Sequence, residues 1–156
     1  MKINLIAGSA EEMFALGKKM GMLLKGGEVI CLRGELGAGK TVFVQGVGEA
    51  LGILENITSP TFTLMQEYSG RSNGEMVKMV HMDLYRLKYP EEVEIIGVSD
   101  AFTKENICLI EWPEISEDYL PEDALDVVII GSGEEPRKVQ FSFSHGEWED
   151  ILRKFR

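Results

Sequence analysis

The sequence predicts an α/β fold in which a central mixed sheet lies between two layers of helices. Three observations support this prediction. Short apolar runs alternate with helical patterns along the 156 residues, a glycine-rich loop joins one buried run to a helical pattern, and a turn cluster between two later runs favours an antiparallel hairpin. Since no repeat or linker interrupts the chain, we expect a single domain over residues 1–156.

Each element has its own local signal. Ser9 is a suitable helix N-cap because Glu12 follows three residues later, as in a capping box. The run 28–34 is apolar throughout, as in a strand buried on both faces, and the cluster 70–75 is typical of a hairpin turn. The expected elements are a strand at 2–7, a helix from Ser9 to the glycines 26–27, a strand at 28–34, a helix from Lys40 to Leu51, a turn and strand at 59–68, a strand at 76–85, a short acidic helix after Pro90, strands at 106–112, 123–131 and 137–144, and a closing helix at 147–155.

The composition limits the possible partners and compartment. The formal net charge is −10, with 16 basic and 26 acidic residues, which disfavours a protein that grips nucleic acid unaided. Cys31 and Cys108 each lie in an apolar run outside any metal-ligand spacing, which suits a reducing compartment. No stretch approaches the length of a membrane span, so we expect a cytoplasmic protein without membrane attachment.

The segment GELGAGKT, residues 34–41, fits the phosphate-binding pattern G-x-x-x-x-G-K-[ST]. Glycines allow positive φ and close approach of the backbone to a ligand, the turned N–H groups form an anion nest, and the next helix adds its N-terminus. Lys40 supplies a full positive charge for the β- and γ-phosphates, and the Thr41 hydroxyl is a magnesium ligand. The fold is therefore expected to be P-loop NTPase-like. The predicted nucleotide-binding residues are Gly34, Glu35, Leu36, Gly37, Ala38, Gly39, Lys40, Thr41 and Val42.

Two carboxylates are candidates for metal binding and catalysis beside this loop. Asp83 and Glu111 each end a largely apolar strand, where an acidic side chain can emerge near the phosphates. With Thr41, one is expected to hold Mg²⁺ and the other to orient the attacking water, and the residues alone do not say which does which. The predicted catalytic residues are thus Lys40, Asp83 and Glu111. Neither an N-K-x-D guanine-reading motif nor a D-x-x-G switch is present, which favours ATP.

Other polar and aromatic residues are weaker candidates. Ser59 and Thr61 flank a proline at a place suited either to a switch that senses the γ-phosphate or to a plain turn. Arg86 could steady transition-state charge or a partner's carboxylate, and Trp112 could line the nucleotide pocket or cap the sheet. His81 is a possible proton relay, although a lone histidine in a strand is more often structural.

Taken together, GELGAGKT, SPTFTL, HMDLYRL, EEVEIIG and EWPE resemble the TsaE (formerly YjeE) family. This family comprises bacterial P-loop ATPases required for threonylcarbamoyladenosine (t6A) modification of tRNA, and the resemblance extends from about residue 9 to residue 130. It implies that Lys40 and Thr41 contact phosphate and magnesium, that Asp83 is the HxD aspartate, and that Glu111 serves in the Walker B role. Residues 59–62 would be the switch-like segment.

The resemblance also implies partners. A protein of this family would associate with the two-subunit threonylcarbamoyl transferase, and its slow ATP hydrolysis to ADP would support repeated turnover without direct, high-affinity tRNA binding. Tyr85 then becomes a partner-contact candidate, and Ser9 and Arg137 become weak candidates for the adenine side. Val42 and Ile96 depart slightly from the family pattern. Two alternatives remain: a small-molecule P-loop kinase, and a nucleotide-dependent switch that does not hydrolyse.

Overall fold

Within residues 1–155, seven strands form one sheet in the order β1-β7-β6-β2-β5-β4-β3. The computed structural model describes residues 1–155. The strands are β1 (Lys2–Ala7), β2 (Val29–Arg33), β3 (Met65–Ser72), β4 (Glu75–Asp83), β5 (Asn106–Glu111), β6 (Leu125–Ile130) and β7 (Arg137–Ser142). The helices are α1 (Ala10–Gly21), α2 (Lys40–Ala50), α3 (Glu91–Ile95) and α4 (Glu149–Arg153), with 3₁₀ segments at Ser99–Ala101 and Pro113–Tyr119. Over residues 1–155, none of the helices is long and apolar enough to span a membrane.

The centre of the sheet is parallel and its flanks are antiparallel. β2 pairs in parallel with β5 on one side and with β6 on the other, and β4 continues the parallel part beside β5. β3 is antiparallel to β4, and β7 is antiparallel to both β6 and β1. The predicted mixed sheet and its hairpin are confirmed.

Helical layers cover both faces of the sheet, so the predicted three-layer arrangement is also confirmed. On one face α1, α2 and α4 pack against alternate strand residues around Phe43 and Phe141. On the other face α3 and the 3₁₀ segments pack against the intervening residues, among them Cys31 and Cys108. The strand residues that contribute to both cores explain why β2 and β5 read as continuous apolar runs.

α1 and α2 pack closely against each other because glycines lie where they cross. A Cβ on Gly17 would fall 2.1 Å from the carbonyl oxygen of Phe43, and one on Gly46 would fall 2.1 Å from that of Phe14. Neither helix could hold this position with a larger residue at these sites. The close crossing fixes α2, and with it the loop that precedes α2, against the rest of the molecule.

Several expected boundaries are wrong. β6, β7 and α4 are shorter than expected, at Leu125–Ile130, Arg137–Ser142 and Glu149–Arg153. α1 ends at Gly21 rather than at residues 26–27, because the carboxylate of Glu28 accepts the main-chain N–H groups of Lys25 and Gly26 at 2.9 and 2.7 Å and so replaces helical hydrogen bonds there. The hairpin strands extend further toward the turn than expected, so the turn is confined to residues 73–74, while β4 ends at Asp83 rather than at residue 85. Ladder hydrogen bonds therefore continue through most of the polar cluster at 70–75.

Candidate functional site

The carboxyl ends of three parallel strands meet at one edge of the sheet. β2 runs into the loop at 34–39, β4 ends at Asp83, and β5 ends at Glu111. Asp83 and Glu111 are register partners on neighbouring strands. Parallel α/β sheets bind ligands at this edge, at the strand where connections diverge to either side. β2 is such a strand, so the loop and both carboxylates lie where a ligand is expected.

The glycine-rich loop has a backbone conformation that exposes N–H groups. Gly37 and Gly39 have φ angles of +79° and +110°, in the left-handed region that glycine favours. Gly39 is also the N-cap of α2, and no side chain caps this end of the helix. The first N–H groups of a helix have no intrahelical partner, so those of α2 are available to an anion.

The ammonium group of Lys40 lies inside the loop. It donates hydrogen bonds to the carbonyl oxygens of Gly34 and Glu35, the latter at 3.2 Å. The Trp112 ring covers it, with Nζ 3.8 Å from the ring centroid, which is within the range of a cation–π interaction. Lys40 is only 4% exposed, yet its contacts are with neutral groups.

Burial lowers the pKa of Lys40 below its ordinary value, while the carboxylates of Glu111 and Asp83 act in the opposite direction. Burial disfavours the charged ammonium, and nearby negative charge favours it. The loop cation is therefore electrostatically linked to both strand ends. A phosphate in the loop would add negative charge and strengthen the charged form further.

Glu111 is the centre of a buried hydrogen-bonded group. Its Oε2 accepts from the Thr41 hydroxyl at 2.9 Å and contacts Nε2 of His81 at 2.6 Å. Glu111 is 3% exposed and His81 is fully buried. A carboxylate can only accept hydrogen bonds, so Nε2 carries the proton and donates it. Nδ1 of His81 then has no partner among the protein groups of residues 1–155.

His81 was not among the predicted catalytic, binding or metal residues. A signal was present, since residues two apart on a strand point to the same face of a sheet. His81 therefore lies on the same face as Asp83, the face covered by α2. The contact with Glu111 could not be read from the sequence because it joins residues 30 positions apart.

Asp83 anchors the segment that follows α2. Its Oδ2 accepts from the Ser59 hydroxyl at 2.6 Å, and its Oδ1 accepts from the main-chain N–H of Tyr85 at 3.1 Å. The Asp83 N–H donates to the carbonyl oxygen of Leu64 at 3.0 Å. Thr61 is exposed, and its hydroxyl donates to the carbonyl oxygen of Ser59 at 3.3 Å. Ser59 thus reaches the predicted site, whereas the Thr61 side chain does not contact it.

Aromatic side chains cover this edge of the site. The rings of Tyr85 and Trp112 are 4.8 Å apart between centroids. The Arg86 guanidinium lies 5.2 Å from the ring of Phe62, which is 87% exposed. Trp112 has a positive φ of 56°, uncommon for a residue with a side chain. This backbone conformation turns the chain directly after Glu111, and the indole covers Lys40.

Arg33, another residue that the sequence did not single out, holds the segment after Trp112. Its Nε donates to Asp126 at 2.9 Å, and its Nη1 lies 2.5 Å from a carboxylate oxygen of Glu117. Glu117 belongs to the 3₁₀ segment Pro113–Tyr119. The end of β2 is thereby tied to the chain that carries the indole.

A cavity of about 330 Å³ lies beside the loop, on the side away from the carboxylates. Ser9 and Arg137, predicted on the adenine side, both line it. The Ser9 hydroxyl accepts from the main-chain N–H of Glu12 at 3.1 Å, so Ser9 caps α1 as expected. The other lining residues are Ala7, Gly8, Ala10, Met13, Gly37, Ala38, Gly39, Val42, Gly133, Glu134 and Glu135. The side chains of Glu35 and Leu36 are exposed.

The donor set suits magnesium better than a metal bound wholly by protein. No group of three or more His, Cys, Asp or Glu residues within 1–155 is arranged to hold a metal ion. Magnesium, however, keeps several waters and is bound through one or two carboxylates together with substrate phosphates. The adjacent oxygens of Thr41 and Glu111, beside an anion-binding loop, are the ligand type that such a site needs.

A glycine-rich loop between a buried parallel strand and a helix, with carboxylates at the neighbouring strand ends, defines an α/β protein with a P-loop NTPase-like fold. A family model described as "Threonylcarbamoyl adenosine biosynthesis protein TsaE" matches residues 7–139. The chain belongs to the TsaE family, and the resemblance expected from its motifs is confirmed.

Individual relatives agree with this assignment. A Bacillus subtilis protein named "tRNA threonylcarbamoyladenosine biosynthesis protein TsaE" is 37% identical over 144 residues, covering 92% of this chain and 87% of its own. A Treponema pallidum protein of the same name is 43% identical over 117 residues, covering 75% and 83%. The crystal structure of Bacillus subtilis YdiB superposes with a TM-score of 0.77 at 30% identity, covering 99% of this chain and 93% of that one.

Proposed function

We propose that this protein binds ATP with Mg²⁺ at the loop 34–41 and hydrolyses it slowly to ADP. In doing so it would support the two-subunit threonylcarbamoyl transferase that forms t6A in tRNA. The observation that carries the proposal is the Thr41 hydroxyl, at the start of α2, hydrogen-bonded at 2.9 Å to the buried carboxylate of Glu111. This pairing joins the loop to a strand-end carboxylate, as a magnesium-nucleotide site requires.

Each residue near the loop has a distinct role in this proposal. Lys40 exchanges its neutral carbonyl partners for phosphate oxygens, which are stronger acceptors for an ammonium group. Thr41 and Glu111 hold the magnesium ion, which when bound would neutralise charge on the phosphates. His81 fixes the Glu111 carboxylate through its Nε2 hydrogen bond, so that Glu111 keeps one orientation before and after binding.

Asp83 is the proposed residue for orienting the attacking water. Both of its oxygens already accept one hydrogen bond, from Ser59 and from the Tyr85 N–H. Each oxygen retains a second lone pair, which is free to accept from water. The Ser59 contact connects Asp83 to the segment 59–62, so a change in that segment would move the water-orienting carboxylate. This connection provides a route by which a partner could control hydrolysis.

The proposed partner is a protein, in line with the charge of the molecule. A net charge of −10 disfavours unaided binding of tRNA, whereas relatives that are 37% and 43% identical are named for tRNA threonylcarbamoyladenosine biosynthesis. Exposed aromatic groups at the site, Phe62 and Tyr85, are suitable for contact with a protein surface. A cytoplasmic location, where tRNA is modified in bacteria, is part of the proposal.

Hydrolysis measured with and without the transferase pair tests the proposal. The purified chain is assayed alone and with the pair, next to Lys40→Ala and a control variant, Lys2→Ala, which removes an exposed lysine on β1. We expect the pair to stimulate hydrolysis, Lys40→Ala to abolish it, and Lys2→Ala to behave as the wild type.

Equal slow rates with and without the pair, alongside tight ATP binding, would contradict partner regulation. Tight ATP binding with no measurable hydrolysis, alone or with the pair, would favour a non-hydrolysing switch. Transfer of the γ-phosphate to a small molecule in a screen of acceptors would instead support the kinase alternative.

A further inference from the structure

The guanidinium of Arg137 lies between two loops and is bound by both. Its Nε donates to the carbonyl oxygen of Ala38 at 3.0 Å, and its Nη2 to that of Gly37 at 3.3 Å. On the other side, Nη2 donates to the carbonyl oxygen of Gly133 at 3.0 Å and Nη1 to that of Glu135. Arg137 therefore joins the phosphate-binding loop to the connection between β6 and β7.

These contacts leave the guanidinium little capacity for a ligand. It has five N–H donors, and four of the possible hydrogen bonds are made to main-chain carbonyl oxygens. Arg137 takes part in none of the ion pairs formed within residues 1–155. Because its donors are turned to the backbone, a positioning role explains its contacts better than a hydrogen-bonding role toward the base.

By binding main-chain carbonyl oxygens, Arg137 also sets the direction of main-chain N–H groups, because each peptide unit is planar and trans. No cis peptide bond occurs in the described residues, so each C=O points opposite to the N–H of the next residue. When Arg137 holds the Ala38 carbonyl, it also directs the Gly39 N–H to the opposite side. The Ala38 N–H, opposite the Gly37 carbonyl, is held by Glu35 at 3.0 Å. Two successive peptide planes of the loop are thus fixed.

We propose that Arg137 is a positioning residue that holds the phosphate-binding loop in its anion-binding conformation before a nucleotide arrives. A loop of three glycines would otherwise sample many conformations, since glycine loses more conformational freedom on ordering than any other residue. By fixing the loop in advance, Arg137 lowers the entropic cost of binding a polyphosphate. The inference rests on the proposed function, because it concerns the same loop.

Affinity for ligands with and without a base tests this role. ATP, GTP and tripolyphosphate are titrated, each with magnesium, into the wild type and into Arg137→Met, Arg137→Lys and Lys138→Met. Lys138→Met is a matched control, since it removes the neighbouring positive charge, whose side chain points to the opposite face of β7. Thermal unfolding of each variant is recorded in parallel.

Arg137→Met is expected to weaken the binding of all three ligands by a similar factor of about 30-fold, which corresponds to the net contribution of one charge-assisted hydrogen bond. Arg137→Lys keeps the charge but not the planar fork, so it should remain at least about tenfold weaker than the wild type. Lys138→Met should bind normally. A loss confined to ATP and GTP would overturn the inference in favour of a base contact. Full recovery in Arg137→Lys would also overturn it, because a positive charge without the planar fork would then be sufficient.

A measurement without ligand separates this inference from the proposed function. The NMR order parameters of the Ala38 and Gly39 amides should fall from about 0.85 in the wild type to below about 0.6 in Arg137→Met, while the unfolding temperature changes little. Unchanged order parameters would overturn the positioning role even if nucleotide affinity falls. If the wild type binds no triphosphate but the order parameters fall, the proposed function fails and the positioning role stands.

Discussion

Replacing Glu111 with alanine should destabilise the protein even in the absence of nucleotide. The carboxylate accepts from His81 at 2.6 Å and from Thr41 at 2.9 Å, and both Glu111 and His81 are buried. In Glu111→Ala the Nε2–H of His81 loses its partner, and an unsatisfied buried donor costs about 1–3 kcal/mol. The space left by the side chain costs on the order of 1 kcal/mol more. Thr41 is partly exposed and can bond to water instead.

The sum is a loss of about 3 kcal/mol in the free energy of unfolding, or about 6–12 °C in the unfolding temperature of a chain of this size. Glu111→Gln is the matched control, because its amide oxygen can still accept from both donors, and its loss should stay within about 1 kcal/mol. Thermal unfolding followed by circular dichroism, without nucleotide or magnesium, measures both. Equal losses in the two variants, or no measurable loss in Glu111→Ala, would refute the role of Glu111 as the buried acceptor.

Three further outcomes are expected. Gly46→Ala places a Cβ 2.1 Å from a main-chain oxygen of α1, so urea unfolding should show that the free energy of unfolding falls by about 3 kcal/mol. In the control variant Gly8→Ala the new Cβ approaches only a flexible glutamate carboxylate, at 3.0 Å, and the free energy of unfolding should fall little. Burial raises the pKa of both Cys31 and Cys108 to about 12. Because both thiols are therefore protonated at pH 8, a thiol reagent should modify them only when the protein unfolds, and rapid modification of the folded protein would contradict this. Ser59→Ala removes the 2.6 Å hydrogen bond to the carboxylate at the end of β4, so amide hydrogen exchange in residues 59–64 should accelerate by about tenfold. An unchanged exchange rate would show that this hydrogen bond does not order the segment.

The sequence predicted the features that local patterns determine. The glycine-rich loop, the buried strand before it and the helix after it follow from residue types at fixed spacing, and so does the Ser9 cap of α1. The strand ends at Asp83 and Glu111 could be found because an acidic residue closing an apolar run is a local signal. Fold class and the position of the loop were therefore accessible without a structure.

The missing features depend on contacts between distant parts of the chain. Arg137 meets Ala38 across 99 positions and Arg33 meets Asp126 across 93, and no local pattern encodes either pair. The early end of α1 has a related cause, because the Glu28 side chain competes for main-chain N–H groups that the helical pattern alone would assign to the helix. Side chains that bind the backbone are the hardest to anticipate, since many residues could make the same bond.

The central claim is that Lys40, Thr41 and Glu111 form one magnesium-nucleotide site, and a calorimetric titration tests it most directly. ATP is titrated into the wild type with magnesium and with EDTA, and the pair of titrations is repeated with Thr41→Val, which keeps the shape of the side chain but removes its hydroxyl. We predict that magnesium strengthens ATP binding to the wild type and has no such effect on Thr41→Val. Equal affinities with magnesium and with EDTA in the wild type, or an undiminished magnesium effect in Thr41→Val, would contradict the claim.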